Sequence, residues 1–528
     1  MKKWTVVILL GMAQFVMVLD STVMNVSIST VVADLHTSVT ALQAAITFYT
    51  LTMAAFMLLG GKLGDVWGRK RAFTIGAIIY ALGSFITAIS PNIATLFIGW
   101  SVIEGLGAVL VIPAIAALVA SNYHGKDRMV AYAIIGAVSG AAAAAGPLIG
   151  GYVTTYLSWR YVFVAEVFIM AIILLFGSKI ADALGAIKTK IDVPSVLLSA
   201  SGLFFLVFGM LQSKTWGWVQ PRAIPTVGGH EIAPLGISLV AYLILVGILI
   251  LYWFFNRQRM LEQSNRNPLL KTSMLSIKRL RSGLGVLAAQ YMITASVFFV
   301  IPVYLQMTLG LDALQTGIKI LPLSIAVILC SIVGTRLSSK WPPKKIVRTG
   351  QFLLVIGALT LVGSVATELK SGFFLVGMFL VGSGLGLLAS QLGNINMSSV
   401  DESQSAEVGG LQGVFQNLGS SFGTALIGSI LVATLTTAFV ANVNTSTLPS
   451  NVKTYVNENS QAGVAIVSTK DVSNFAQSQG LSEEDVNAVT DAYASSQIEA
   501  LRTSLFAVAV LAILTLAFSR NIPTEIKT

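Results

Sequence analysis

The chain has 528 residues, of which 55% are hydrophobic and 11% are charged, and its mean hydropathy is +0.80. These values exclude an ordinary soluble protein, because a chain this apolar must be solvated largely by lipid. The formal net charge of +10 could suit a nucleic-acid-binding protein, but the positions of the basic residues favour a membrane topology instead.

Apolar stretches of about 20 residues, the length that crosses a bilayer core, recur along the whole chain. We predict an all-α membrane protein with fourteen transmembrane helices, arranged as two six-helix bundles with an inserted two-helix hairpin. The predicted spans are residues 5–31, 41–61, 72–90, 94–119, 131–153, 160–177, 194–213, 234–255, 283–309, 317–338, 347–367, 372–398, 408–435 and 500–519.

The first predicted span contains an ionisable residue, Asp20, followed by the polar Asn25. A charge at membrane depth is costly, so such a residue is a candidate functional site. The preceding Lys2 and Lys3 could begin a cleavable signal peptide, but the apolar run is long and lacks a small-x-small cleavage site. We therefore predict a retained first span.

Basic residues concentrate in alternate predicted loops. The clearest clusters are at Lys62–Arg71, Lys126–Arg128, Arg257–Arg281 and Lys340–Arg348. The positive-inside rule places these loops, and with them both termini, in the cytoplasm. This topology explains the net charge without a nucleic-acid partner, although the loops could contact anionic lipid.

Two of these loops suggest an internal duplication. GGKLGDVWGRKR begins at Gly60 and GTRLSSKWPPKK begins at Gly334, and alignment superposes Trp67 on Trp341. Each loop follows the second span of a six-span block, as expected for a transporter with repeated halves. Two unrelated basic loops would be the alternative.

Further acids and a glycine-rich helix follow in the first half. Glu104 lies in the fourth predicted span, and Glu166 lies in the sixth, after Trp159 and Arg160. The fifth span reads GAVSGAAAAAGPLIGG, in which small residues permit close helix packing and Pro147 favours a kink.

The predicted domains are an N-terminal six-helix bundle at 1–190, a hairpin with a basic cytoplasmic linker at 191–282, and a C-terminal bundle at 283–528. A long extracytoplasmic loop is predicted near 436–499. Its later part, from Ser482, has the pattern of a capped amphipathic helix that leads into the last span. The loop could be a solvated spacer or could gate or recognise a ligand.

Other chemistry is sparsely represented. The lone Cys330 cannot form an intrachain disulfide, and Cys/His metal spacing is absent. His36, His124 and His230 fall in predicted loops without a matching nucleophile, so a membrane-embedded enzyme is a remote alternative. The sequence has no GxxxxGK[ST] nucleotide-binding loop. We expect no cofactor or metal, and we expect an ion gradient, most simply of protons, to supply the energy.

These motifs together resemble the major facilitator superfamily, specifically its fourteen-span drug:proton antiporter branch, the EmrB/QacA-like exporters. The loop GKLGDVWGRKR resembles the superfamily signature between the second and third spans, and the glycine-rich fifth span resembles the motif shared by its antiporters. The resemblance implies a conformational latch at Gly61, Asp65, Gly68, Arg69, Lys70 and Arg71. It implies an antiporter motif at Gly140, Gly146, Pro147, Gly150 and Gly151.

The first span, LDSTVMNV, also resembles this branch, where the acid takes part in proton coupling or cation recognition. Two departures stand out. Ser27-Ile28-Ser29 replaces an expected Ala-Leu-Pro, and the fourth span has Ser101 and Glu104 where the family pattern has Arg and Gln. A membrane-buried cation is therefore missing, and an acid lies one turn away.

We predict proton coupling at Asp20, Glu104 and Glu166, because a low dielectric favours the neutral form of a carboxyl. Asp20 and Glu104 are expected to line one cavity in the outer half of the membrane. Alternatively, Glu104 hydrogen-bonds a neighbouring helix and never titrates. Because the sixth span is usually peripheral in this fold, Glu166 is expected to pair with Arg160 or to reach toward the headgroups.

The resemblance implies efflux of lipophilic, cationic compounds across a bacterial plasma membrane by alternating access. An acid near aromatic faces suits such cations. The alternative is an exporter of a specific native metabolite, lipid or peptide. We expect a monomer whose partners are lipid, protons and a small lipophilic substrate. The predicted substrate cavity comprises Asn25, Tyr291, Phe298, Tyr304, Gln306, Gln391, Asn394, Phe415 and Gln416.

Overall fold

Apolar runs of this length fold as helices because a backbone in lipid must satisfy its own hydrogen bonds. The computed structural model describes residues 4–123, 125–182, 191–222, 224–227, 230–264, 266–400, 405–460 and 463–524. Within these residues the fold is helical, apart from a short antiparallel ladder between Thr226–Val227 and His230–Glu231. His124 lies outside the described residues.

The N-terminal bundle contains six long helices. They are α1 (Thr5–Val26), α2 (Val39–Trp67), α3 (Arg69–Ala88), α4 (Ile93–Leu96, a π-helical segment Phe97–Glu104, and Gly105–Asn122), α5 (Gly125–Tyr156) and α6 (Arg160–Phe176).

The hairpin and the C-terminal bundle supply eight more. They are α7 (Val193–Trp216), α8 (Leu239–Gln263), α9 (Lys278–Val303), α10 (Ala313–Leu337), α11 (Pro343–Ser364), α12 (Ser371–Met397), α13 (Ser405–Thr445) and α14 (Glu483–Thr515). A π-helical turn, Tyr304–Thr308, continues α9.

Among the described residues, helix α5 is divided by a bend of more than 40°. Thirteen helices of the described chain are each long and apolar enough to cross a membrane, and α5 supplies the fourteenth if its two parts count as one span. The parts, Ile134–Ala143 and Ala145–Tyr156, meet at 45°. Pro147 accounts for the bend, because a proline cannot donate a hydrogen bond to the carbonyl four residues earlier.

The segment between α13 and α14 is more helical than the predicted loop. It contains the short helices Ser450–Asn459 and Thr469–Ser478. The expected cap at Ser482 is present, since its side chain accepts a hydrogen bond from the Asp485 N–H at 3.2 Å. The helix that it caps is α14 itself, which continues without a break into the last span.

The inserted hairpin packs against both bundles. Leu203, Val207 and Leu211 of α7 form an apolar cluster with Leu51 and Ala55 of α2 and with Ala425 of α13. Apolar side chains on α7 therefore lie against α2 and α13, and the hairpin does more than connect the bundles.

The two bundles also touch directly at the end where α1 terminates and α10 begins. Gln306 bridges them, because its Nε2 donates to the Val26 carbonyl at 2.8 Å and its Oε1 accepts from the Ser29 N–H at 2.9 Å. The Leu314 N–H donates to Thr155 Oγ1 at 3.1 Å. This end of the bundle is thus held closed by hydrogen bonds between the halves.

A second joint between the bundles runs along α2 and α13. Gln43 Nε2 donates to the Thr424 carbonyl at 2.8 Å, and Ser421 Oγ donates to the Thr47 carbonyl at 3.2 Å. These polar side chains find partners across the interface because buried polar groups are costly when unpaired.

Candidate carboxyl cluster

Three carboxyl groups meet in the core of the N-terminal bundle. Asp20 comes from α1, Glu104 from α4 and Glu166 from α6, and the residues are 1%, 0% and 1% exposed. One carboxylate oxygen from each lies within 4.8 Å of the other two. The acids predicted for proton coupling are therefore neighbours, although they are enclosed in the bundle core and do not line an open cavity.

Ser84 of α3 joins two of the acids. Its hydroxyl oxygen lies 3.0 Å from Glu104 Oε2 and 3.1 Å from Glu166 Oε2. The same oxygen is 3.1 Å from the backbone carbonyl of Tyr80. A residue that sequence reasoning missed thus connects α4 to α6, and its signal was a hydroxyl side chain within an apolar span.

Small residues permit this close approach of α3 and α4. A Cβ at Gly83 would lie 2.5 Å from the backbone nitrogen of Glu104, and one at Gly107 would lie 2.5 Å from the backbone nitrogen of Tyr80. Real Cβ atoms essentially never approach so closely. Both positions therefore require glycine for the helices to cross at this distance.

Trp100 binds the third acid. Its indole N–H lies 2.9 Å from Asp20 Oδ1 and 3.0 Å from Oδ2. The Tyr49 ring stacks on Trp100 with centroids 4.9 Å apart and planes 11° from parallel. Trp100 and Glu104 both belong to the π-helical segment of α4, and such segments often occur at functional sites. Sequence reasoning missed Trp100, although an indole is a ready donor in an apolar helix.

No basic side chain pairs with the cluster among the residues that the structure describes. Ser101, where the family pattern has Arg, donates its hydroxyl to the Ala45 carbonyl at 2.7 Å and so serves packing against α2. The oxygens Glu104 Oε1 and Glu166 Oε1 are buried without a hydrogen-bond partner in this part of the chain. Each of the three acids therefore has the other two carboxyl groups as neighbours and, within the described chain, no basic side chain to balance its charge.

The expected pairing of Glu166 with Arg160 was wrong. Arg160 forms an ion pair with Asp34 and donates to the Ser90 carbonyl at 2.8 Å. The partial burial of Asp34 would raise its pKa, but hydrogen bonds from Arg160 and Trp159 outweigh burial and lower the pKa below its usual value. Arg160 is the first residue of α6 and meets a carboxylate at the helix end, whereas Glu166 lies inside the bundle.

The signature loop between α2 and α3 forms a local clasp. Asp65 and Arg69 are ion-paired, and Arg69 Nη1 donates to the Gly61 carbonyl at 3.2 Å. Gly68 adopts a φ of 93°, which glycine accommodates without strain. The Lys70 N–H donates to Asp182 Oδ1 at 2.9 Å. Arg71 is exposed.

The glycine motif of α5 packs against two other helices. A Cβ at Gly146 would lie 1.8 Å from Thr22 Oγ1, and one at Gly150 would lie 2.9 Å from the Val23 side chain, both on α1. A Cβ at Gly151 would lie 2.6 Å from the Ala313 carbonyl of α10.

The same motif reaches a second glycine of α10. A Cβ at Gly317 would lie 2.2 Å from the Pro147 carbonyl. Gly140 differs from the rest of the motif, because a Cβ there would meet nothing within 4 Å. The C-terminal part of the motif is therefore a joint between α1, α5 and the other bundle.

Three residues predicted for the substrate cavity are used in packing instead. The Tyr304 hydroxyl donates to the Ala366 carbonyl at 2.8 Å, and Gln391 Nε2 donates to the Gly334 carbonyl at 3.1 Å. Gln306 joins the two halves, as described above. The prediction placed them in the cavity because they are polar residues in apolar spans, and the same property makes them seek buried partners.

The other predicted cavity residues have different surroundings. Asn25 is buried, and its side chain donates to the Ser21 carbonyl at 2.9 Å. Asn394 is exposed. Those that are partly buried, and remain candidates for substrate contact, are Tyr291, Phe298, Phe415 and Gln416.

Comparison with known proteins agrees with this architecture. The family model "Major Facilitator Superfamily" matches residues 10–424. The fold is similar to a solved bacterial homolog of the human lysosomal transporter Spinster, with a TM-score of 0.60 and 13% identity over 98% of this chain and 97% of that one.

Several curated bacterial proteins are similar in sequence. Puromycin resistance protein pur8 of Streptomyces alboniger is 28% identical, covering 84% of each chain. Multidrug resistance protein Stp of Mycobacterium tuberculosis is 24% identical over 98% of this chain and 92% of its own. Riboflavin transporter RibZ of Clostridioides difficile is 27% identical over 82% of this chain and 90% of its own. The chain therefore belongs to the Major Facilitator Superfamily and is a multi-span membrane transporter related to bacterial drug-efflux proteins.

Proposed function

We propose that this protein is a proton-coupled antiporter that exports lipophilic cations across a bacterial plasma membrane. The observation that supports this most directly is the burial of Asp20, Glu104 and Glu166 together without a basic partner among the described residues. An uncompensated buried charge is costly, so such a cluster is stable when largely protonated. Exposure to water on either side would let it release or take up protons.

The cluster is connected to the interface between the bundles through α1. Asp20 lies on the same helix as Val26, whose carbonyl accepts the hydrogen bond from Gln306 of the other bundle. Gly146 and Gly150 hold α5 against α1 next to Asp20. A change in the charge of the cluster, whose carboxyl groups lie within 4.8 Å of one another, can therefore alter the position of a helix that joins the two halves, which is the physical requirement for coupling.

The remaining motifs fit the same cycle. We assign the clasp around Asp65 and Arg69 as the conformational latch, and the α5 joint at Gly146–Gly151 as the antiporter element. Both termini are assigned to the cytoplasm by the positive-inside rule. The partly buried aromatics Tyr291, Phe298 and Phe415 would attract a lipophilic cation through their ring faces. No cofactor is needed, and a monomer suffices.

Ethidium efflux from energised cells tests the proposal, with and without a protonophore. Efflux should stop with the protonophore and in Asp20→Asn, and it should be reduced in Glu104→Gln. Glu499→Gln is the matched control, because Glu499 is an exposed acid on α14. Unchanged efflux by both cluster variants would contradict proton coupling at this site.

Export of a specific native metabolite is the second candidate. It is favoured by the similarity to a protein named as a riboflavin transporter. Failure of a well-expressed protein to move ethidium or other lipophilic cations, together with proton-driven flux of a neutral compound, would support this candidate.

A further inference from the structure

The hydrogen count at Ser84 constrains the protonation of the two glutamates. A serine hydroxyl has one hydrogen to donate, yet its oxygen is within 3.1 Å of the Tyr80 carbonyl and of both Glu104 Oε2 and Glu166 Oε2. A carbonyl oxygen and a carboxylate oxygen can only accept. At least one glutamate must therefore be a carboxylic acid that donates its O–H to Ser84.

The local geometry of α3 favours protonation of both glutamates. A serine in a helix commonly donates its hydrogen to a carbonyl one turn earlier. The Ser84 hydroxyl lies 3.1 Å from the carbonyl of Tyr80, four residues before it. With this hydrogen committed, Ser84 can only accept from Glu104 and Glu166. Each of them then carries a proton, which also removes the repulsion between their carboxyl groups.

Asp20 has the opposite environment. Both of its oxygens accept from the Trp100 indole N–H, at 2.9 and 3.0 Å, and this donor favours the ionised carboxylate. The titratable groups facing the cluster are Asp20 from α1, Tyr49 from α2, Tyr80 from α3, Glu104 from α4 and Glu166 from α6. The enclosed cluster then carries a net charge of about −1, because two of the three carboxyls are neutral.

Three buried oxygens of the cluster lack hydrogen-bond partners and are positions at which water can bind. Glu104 Oε1, Glu166 Oε1 and the Tyr80 hydroxyl have no hydrogen bond of ordinary geometry within the described part of the chain, and the Tyr80 hydroxyl faces both glutamates. Each belongs to a residue with at most 1% exposure. They are available to the first water molecules that enter when the bundle opens.

We propose that this cluster carries two protons, one on Glu104 and one on Glu166, and exchanges both in each transport cycle. The inference rests on the proposed proton-coupled function. Hydrated carboxyls ionise well below neutral pH, so entry of water breaks both O–H bonds and releases two protons. Exchange of two protons for one monovalent cation moves one net charge, and transport is therefore electrogenic.

Infrared difference spectroscopy of the purified protein tests the protonation directly. At neutral pH, the carbonyl bands of two protonated carboxylic acids should disappear on alkaline titration. Glu104→Gln and Glu166→Gln should each remove one band, and Glu499→Gln should remove neither. Ser84→Ala should shift both bands, and it serves as the second variant if a glutamate variant fails to fold. A single band, or none, would overturn the proposal.

Proteoliposomes loaded with ethidium test the stoichiometry. The native protein should move about two protons per ethidium, and Glu166→Gln should move about one, as expected when a proton-binding carboxyl is replaced by an amide. A native ratio of one, or a ratio that Glu166→Gln leaves unchanged, would overturn the proposal. Absence of any proton flux with both infrared bands present would reject the proposed coupling and leave the two-proton assignment standing. Flux driven by a sodium gradient, with Na⁺ abolishing both bands, would identify a metal-cation site instead.

Discussion

Trp100 donates its indole N–H to both carboxylate oxygens of Asp20, at 2.9 and 3.0 Å. This contact joins α4 to α1 inside the N-terminal bundle. Trp100 immediately precedes Ser101, the position at which the family pattern has a basic residue. The hydrogen-bond donor next to Asp20 is therefore an indole. The coupling chemistry proposed for this protein therefore depends on a neutral hydrogen-bond donor at Asp20.

Replacement of Trp100 by Phe tests this contact. The aromatic packing on Tyr49 is largely kept, but the ionised form of Asp20 loses its donor, at a cost of about 1–3 kcal/mol. We expect the pH profile of efflux to move to higher pH while the protein stays folded. Trp4→Phe provides a control, because Trp4 stacks on Tyr123 away from the cluster. An unchanged profile in Trp100→Phe would contradict a role for the indole in coupling.

Gly83 tests the close crossing of α3 and α4. In Gly83→Ala the new Cβ would lie 2.5 Å from the backbone nitrogen of Glu104, and overpacking of this kind costs about 1–3 kcal/mol. We expect a lower thermal unfolding temperature in detergent and reduced efflux. Gly140→Ala is the matched control, since nothing lies within 4 Å of a Cβ there. Equal behaviour of the two variants would show that α3 and α4 are not packed as described.

Gln306 tests the joint between the halves. Gln306→Ala removes the hydrogen bonds to Val26 and Ser29 and leaves buried backbone groups unpaired, which costs about 1–3 kcal/mol. We expect this end of the bundle to open more readily. The measurement is the rate of maleimide labelling of Ser29→Cys after replacement of the single native cysteine, Cys330, by Ser. The rate should rise roughly tenfold for a cost of about 1.4 kcal/mol.

Gln391→Ala controls for the loss of a buried amide, because Gln391 bonds within the C-terminal bundle. It should leave the labelling rate of Ser29→Cys unchanged. An equal rise in both variants would assign the effect to general destabilisation.

Asp192, just before α7, gives a prediction for pH. The hydrogen bond from Arg257 lowers its pKa to about 2. Because the pKa is lower in the folded protein than in the unfolded chain, the pair stabilises the fold above pH ~4, and this stabilisation is lost as the pH falls toward ~2. Asp192→Asn should lower the thermal unfolding temperature at pH 7, and the difference from the native protein should shrink at acidic pH.

The Asn substitution keeps the helix cap, because Asn and Asp are about equally good at this position. The difference between the variants therefore measures the ion pair with Arg257, whose Nη2 lies 2.7 Å from Asp192 Oδ1. A difference in unfolding temperature that does not depend on pH would contradict this assignment.

The amino-acid sequence by itself determined the membrane spans, the family and the presence of acids at membrane depth. These properties are local. A span depends on the composition of about 20 consecutive residues, and the loop signature around Asp65 and Arg69 lies within one short segment. Even the cap at Ser482 could be predicted from neighbouring residues, because its partner is only three positions away.

Only the tertiary structure decided which polar side chains meet. Asp20, Glu104 and Glu166 come together because α1, α4 and α6 cross around Ser84 and Trp100, and no pattern within one helix specifies that crossing. The predicted pairing of Glu166 with Arg160 was wrong for the same reason, because Arg160 forms its ion pair with Asp34, which lies between α1 and α2. In an apolar span a polar residue must find a partner, but which partner it finds depends on how distant helices pack.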